Sequence, residues 1–172
     1  MSRKILLIPV ILQLLFAPVL FASACPCPEE TREVRYVIDG DTVILKNEQR
    51  VRLIGIDAPE ISHRKYGKKG EAWGDEAKEY LASLIQRKEI TLKPGKEEFD
   101  RFGRRLAYLY LPDGTFVNRK MVEEGYSEAY RKFPFEYKAD FIEVEKIARE
   151  GKKGMWGQKQ NSWLEAFMEI LE

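Results

Sequence analysis

Four acids and two arginines carry the chemistry this sequence offers. Asp39 and Asp41 flank Gly40 in VIDGDTV, and Asp57 and Glu60 bracket an Ala-Pro pair at the end of VRLIGIDAPE. Two strand ends can meet at one rim, and Asp41 and Asp57 would then offer oxygen donors to a shared hard cation. Calcium accepts such a set, because it takes several oxygen ligands in a flexible geometry. DGDT by itself reads as a turn with solvated aspartates, and its spacing is not that of an EF-hand loop. Arg52 changes its meaning. This arginine lies mid-strand among Val51, Leu53, Ile54 and Ile56. Either its stem covers apolar neighbours with the head in water, or its planar, permanently charged fork faces a phosphate. Successive strand residues point to opposite sides, so Arg52 and Asp57 serve one site only if the chain twists or turns near Ala58.

The second arginine comes from EEFDRFGRRLAYLY, where Asp100 to Arg104 form a charged turn leading into a strand. Gly103 would let that backbone approach a ligand closely. Arg52 and Arg104 beside two or three carboxylates suit phosphodiester chemistry. A metal and two guanidinium groups would neutralise charge building on the phosphorus oxygens, while Glu60 takes a proton from an in-line water. After Glu60, His63, Arg64, Lys65, Lys68 and Lys69 form the only dense basic cluster, which either steers a polyanion or is simply a solvated loop. His63 is the sole histidine. Nothing pairs with it for acid-base work, and Glu60 fills that role.

The elements that must position these residues are short. Val34–Ile38, Thr42–Leu45, Val51–Ile56, Ile90–Leu92 and Arg105–Leu111 alternate with period two and are rich in β-branched and aromatic residues, which predicts strands. KNEQ and PDGT read as hairpin connections. Asp75–Gln86 places Ala77, Tyr80, Leu81, Leu84 and Ile85 on one helical face. A short helix runs from an Asn118 cap to a Gly125 stop. A third covers about Glu136–Glu150, with Tyr137, Phe141, Val144 and Ala148 inward and Gly151 and Gly154 ending it. Ser162-Trp163-Leu164-Glu165 is a capping box for a last helix, whose apolar side is expected to dock on the body of the protein. Five short strands with a helix inserted after the third predict an α+β fold. Its centre is a five-stranded Greek-key β-barrel of the oligonucleotide/oligosaccharide-binding (OB-fold) type, with packed α-helices.

VIDGDTV, VRLIGIDAPE, DRFGRRLAYLY and GMWG, in this order and with a helix between the second and third, make Arg35–Gly157 resemble the thermonuclease (staphylococcal nuclease-like) family. The resemblance implies an OB-type barrel and a calcium-dependent phosphodiesterase acting on DNA and RNA with little sequence specificity, leaving 3′-phosphate ends. Carried over, the calcium ligands fall on Asp41, Asp57 and the backbone carbonyl of Ala58, the general base on Glu60, and the phosphate-clamping arginines on Arg52 and Arg104. Asp39 and Thr42 would stand behind the ligands and hold water near the metal. Where the family often has lysine and tyrosine before the turn glycine, this chain has Arg101 and Phe102. Arg101 keeps the attraction for phosphate, and a hydroxyl contact is lost. The family's base-side tyrosines correspond roughly to Tyr130, either a stacking platform or a ring packed on the barrel. The alternative to an enzyme is a non-catalytic barrel that binds nucleic acid or protein. Degenerate copies of that kind lose the acids and arginines, whereas Asp41, Arg52, Asp57, Glu60 and Arg104 are all present. Oxygen-only ligands favour calcium over zinc and leave manganese and magnesium open.

The 172 residues suit one domain. Ser2-Arg3-Lys4 precedes an uncharged apolar run, Ile5–Phe21, and Ala22-Ser23-Ala24 offers a small-residue cleavage pattern, so export is expected. The run is close to the roughly 20 residues of a spanning helix, which makes an uncleaved anchor the competing reading. Cys25 and Cys27 are too close for an unstrained disulfide and too few for a zinc site. Cys25 follows the small-residue site as in a lipoprotein, but Ala22 stands where such signals usually carry leucine. The expected organisation is 1–24 signal peptide or anchor, 25–33 linker, 34–158 nuclease domain and 159–172 C-terminal helix. A monomer is expected, secreted or held on the outer face of the membrane through its N-terminal segment or Cys25, with no protein partner implied. Net charge is +1, or −1 without Arg3 and Lys4, so no global cationic field gathers nucleic acid and phosphate binding must be local.

Overall fold

The structure is a computed structural model and describes residues 29–62 and 70–157. The expected leader, Cys25, Cys27, the whole basic cluster after Glu60 and the last helix lie outside the described residues. In chain order the elements are β1 (Glu30–Asp39), β2 (Thr42–Leu45), β3 (Arg50–Leu53), β4 (Ile56–Asp57), α1 (Gly74–Ile85), β5 (Glu89–Phe99), β6 (Arg105–Tyr110), α2 (Val117–Glu123), β7 (Glu128–Ala129) and α3 (Lys138–Glu150).

Alternation builds the barrel. Val34, Val37, Val43, Leu45, Val51, Leu53, Ile90, Leu92, Ala107 and Leu109 are all buried, and their strands close in the order β1-β2-β3-β6-β5. Every pairing is antiparallel except β3 with β6. Closure depends on β1, whose Val34–Asp39 half pairs with β2 while Glu30–Glu33 pairs with β5. Irregularities between Val34 and Tyr36 and between Val37 and Asp39 curve the strand as it passes from one neighbour to the other. This is the five-stranded barrel with packed helices that the pattern predicts.

The structure corrects several local expectations. Glu30–Glu33, expected as the end of a linker, are strand. Their sequence ETRE carries no apolar alternation, and the pairing comes from β5. The third strand does not run through to Ile56. It breaks at Gly55, whose φ is +82° and where a Cβ would lie 2.5 Å from the Phe135 ring. The turn that brings Asp57 to the side of Arg52 is therefore at Gly55 rather than near Ala58. Asn118 does not cap α2: Phe116 holds that position, and Asn118 is fully buried as the second residue of the helix. Its side chain accepts from Leu109 N–H at 2.9 Å and donates to the carbonyls of Ile54 at 2.9 Å and Ala107 at 3.3 Å, tying α2 to β6 and to the β3–β4 turn. PDGT does turn, with Leu111 N–H donating to Thr115 O at 3.0 Å, but one bridge to Phe116 leads into α2 instead of a further strand.

Candidate active site

Register brings the distant motifs together. Thr42 lies opposite Arg52 across the β2–β3 ladder, and Arg52 lies opposite Leu106 across β3–β6. The residues just before β2 and β6, Asp41 and Arg104, therefore gather at the rim on either side of Arg52. Gly40 makes this close approach possible. A Cβ there would stand 2.5 Å from the Ala58 methyl and 2.8 Å from that of Ala77, so only a bare backbone lets the β1–β2 turn settle against β4 and α1.

Asp41 is buried. Its carboxylate accepts from Thr42 Oγ1 at 2.9 Å and from the Ala58 N–H at 3.1 Å, and it contacts Arg52 Nη1. The other arm of Arg52, Nη2, donates to Ile56 O at 3.1 Å and to Asp57 Oδ1 at 3.2 Å. One guanidinium thus bridges the two expected metal-binding aspartates. Burial lowers the Arg52 pKa below the usual arginine range, and the nearby Arg104 adds to this, while Asp57 and Asp39 oppose it. Asp39 accepts the Asp41 N–H at 3.0 Å. Burial pushes its carboxyl above the ordinary range, against the pull of Arg52, Thr42 and Arg104.

Arg104 is held by Asp100. The Asp100 carboxylate accepts the N–H groups of Phe102 at 2.8 Å and Arg104 at 2.9 Å, and Arg104 Nε at 2.7 Å. Gly103, at φ +73°, completes this tight turn with open space beside it. The free end of the guanidinium, Nη1, reaches toward Thr42 Oγ1 at 3.5 Å. Arg101 is exposed and lies 4.7 Å over the ring of Phe102, which is itself 69% exposed.

Glu60 is exposed and lines a cleft of about 580 Å³ together with Asp57, Glu71, Glu128 and Met155. Its backbone is held on both sides: its N–H donates to Glu71 Oε2 at 3.2 Å, and its carbonyl accepts the Glu71 N–H at 2.8 Å. Tyr130 is half-buried, anchored by its N–H on Gly55 O at 2.9 Å, with its ring 5.9 Å from that of Phe133. Sequence reasoning passed over Phe133, which is 66% exposed; an aromatic three residues after Tyr130 in AYRKF was the available signal.

Among the described residues no three acidic, histidine or cysteine side chains are grouped to hold an ion. What the rim does provide is an all-oxygen pair, Asp41 buried and Asp57 exposed, already converging on one positive group. That donor set fits a hard cation whose remaining ligands are backbone oxygens and water, and it lacks the nitrogen and sulfur donors zinc prefers.

A closed OB-type barrel with carboxylates and arginines gathered at one rim defines a class of protein built for phosphate chemistry. The family model described as Staphylococcal nuclease homologue matches residues 50–158. The chain is 36% identical over 160 residues to the Micrococcal nuclease of Shigella flexneri, covering 86% of each chain. It is 34% identical over 132 residues to the Thermonuclease of Staphylococcus hyicus, covering 74% of this chain and 76% of that one. With an Uncharacterized endonuclease of Escherichia coli O157:H7 it shares 32% identity over 152 residues, covering 87% and 88%. The chain belongs to the staphylococcal nuclease family.

Proposed function

We propose that this nuclease is an exported, calcium-dependent endonuclease that hydrolyses DNA and RNA with little sequence preference and leaves 3′-phosphate ends. The observation that carries the reading is the Arg52 bridge between Asp41 and Asp57, with Arg104 held beside it. Cation ligands and phosphate clamps then occupy one spot. Asp41, Asp57 and the Ala58 carbonyl would hold calcium, which when bound supplies charge neutralisation at the phosphate. Thr42 and Asp39 support Asp41 from behind. Arg52 and Arg104 grip the non-bridging oxygens and stabilise the charge that grows there during attack. Glu60 takes a proton from the attacking water at its carboxylate, the new P–O bond forms, and the P–O bond to the 5′ carbon's oxygen breaks, that oxygen leaving as a hydroxyl with a proton from solvent. Arg101 attracts the flanking phosphate, and Tyr130 offers its ring to a base.

The test is incubation of the full chain with single-stranded DNA, with calcium or with a chelator, followed by end-group analysis. Cleavage only with calcium, leaving 3′-phosphates, is the expected result; equal cleavage under chelation overturns the reading. Glu60→Ala should remove most turnover and leave nucleotide binding near the wild-type level. Parallel loss of both would make Glu60 a structural residue. Fractionation of the host cell tests export.

A further inference from the structure

Glu145 is a carboxylate in the wrong place for a surface helix. Its side chain is 1% exposed, among the inward residues of α3 with Val144 and Ala148. A buried charge is costly unless it is well paired, and an apolar residue of similar volume often serves stability as well or better. The partners of Glu145 show what it does. Oε2 accepts the Ala129 N–H at 2.8 Å and meets Arg131 Nη2 at 2.9 Å, while Oε1 accepts Arg149 Nε at 2.7 Å. Both arginines are about half exposed, so their charge stays hydrated while the carboxylate reaches inward to a backbone amide.

That amide belongs to β7, a strand of two residues. Ala129 pairs with Ile56 and Glu128 with Asp57, and the next N–H, of Tyr130, donates to Gly55 O at 2.9 Å. Strand β4 is equally short and stands outside the barrel, with β7 as its only ladder partner among the described residues. A two-residue ladder has little stability of its own. A third hold comes from Arg131, whose Nη1 turns back to Ala129 O at 2.8 Å, so the same ion pair grips β7 from both sides. A continuous line of hydrogen bonds therefore runs from α3 through Ala129 to the strand that carries Asp57.

We propose that Glu145 is a positioning residue for Asp57: by fixing β7, it sets where β4 delivers the Asp57 carboxylate opposite Asp41. The proposal rests on the calcium reading above. Its test is calorimetric titration of calcium, without nucleic acid, into the full chain and into Glu145→Ala, Glu145→Gln and Leu92→Ala, at a temperature where each is folded. Leu92 is fully buried in β5, a strand hydrogen-bonded to neither β4 nor β7, so it reports the effect of lost stability alone. Outer partners of ligands typically govern affinity by 10–100-fold, and Glu145→Ala should weaken calcium by about tenfold or more. Glu145→Gln keeps an oxygen for the Ala129 N–H and should lose less. Leu92→Ala should melt earlier and bind calcium as the wild type does. Wild-type affinity in both Glu145 variants, or equal loss in Leu92→Ala, overturns the proposal while leaving the calcium reading intact. A wild-type chain that binds no calcium overturns both. If Glu145→Ala does not fold, Glu145→Gln decides: unchanged melting with affinity as poor as that of an Asp57→Ala chain refutes the role assigned to the Ala129 hydrogen bond.

Discussion

Gly40→Ala is the sharpest perturbation of the rim, because one methyl group meets two others that cannot step aside. The new Cβ would start 2.5 Å from the Cβ of Ala58 and 2.8 Å from that of Ala77, whereas ordinary contact begins at 3.4 Å. Both neighbours are fixed directly to backbone, so the β1–β2 turn and β4 must part by about 0.9 Å, the shortfall at Ala58. The Asp41–Ala58 hydrogen bond, now 3.1 Å, would stretch to about 4 Å and cease to be one. Overpacking costs about 1–3 kcal/mol and the lost bond about 1 kcal/mol, so a destabilisation of about 2–4 kcal/mol is expected in urea melts. Misplacement of reacting groups by about 1 Å can cost about 100-fold in rate, which single-turnover cleavage of single-stranded DNA would register. Adding Ala58→Gly removes the nearer methyl and should restore part of both losses. Unchanged stability and rate in Gly40→Ala, or no recovery in the double variant, refutes the steric account of this glycine.

Two further outcomes follow from buried polar groups. Asn118→Ala leaves the Leu109 N–H and the Ile54 carbonyl without their side-chain partner inside the protein, and should cost about 3 kcal/mol in chemical denaturation; a change below about 1 kcal/mol would contradict the tie described for it. Burial pushes the Tyr108 phenol up to about 12 from its ordinary value of 10.0. The folded chain therefore holds that proton where the unfolded chain has released it. The associated stability is complete below pH 10 and falls away as pH rises toward about 12, by about 2 kcal/mol. Denaturant melts across that window should show the decline, and Tyr108→Phe should reduce it, the rest coming from Tyr110 and Tyr80, which burial also pushes up.

The strands that fill the barrel were legible because Val34, Val43, Val51, Leu92 and Leu109 fall on apolar alternation. ETRE was not, since its pairing is decided by β5 across the chain rather than by its own residues. The break at Gly55 was hidden inside LIGI, where an apolar run reads as one strand and only the Phe135 ring above the glycine reveals the turn. Asn118 was misread through the general preference of asparagine for caps, because burial reassigns its amide to three strand and turn groups. The identities of the site residues stood out in the motifs. Their convergence did not, because it depends on the Thr42–Arg52–Leu106 register and on the bare backbone at Gly40. Nothing in the sequence separates Glu145 from the exposed acids of the same helix; packing turns it inward.

The double duty of β1 sets a limit on maturation. Under the proposed export, a cut has to fall upstream of Glu30, since trimming to Val34 would unclip the barrel and bare the edge of β5 at Glu89–Leu92, a template for sticking to other chains. It would also strip Arg105, whose side chain is 7% exposed, of its Glu30 counter-ion at 2.5 Å and strand a cation in the wall. On the proposed export route, any clip or tether has to leave the clasp of β1 whole from Glu30 onward.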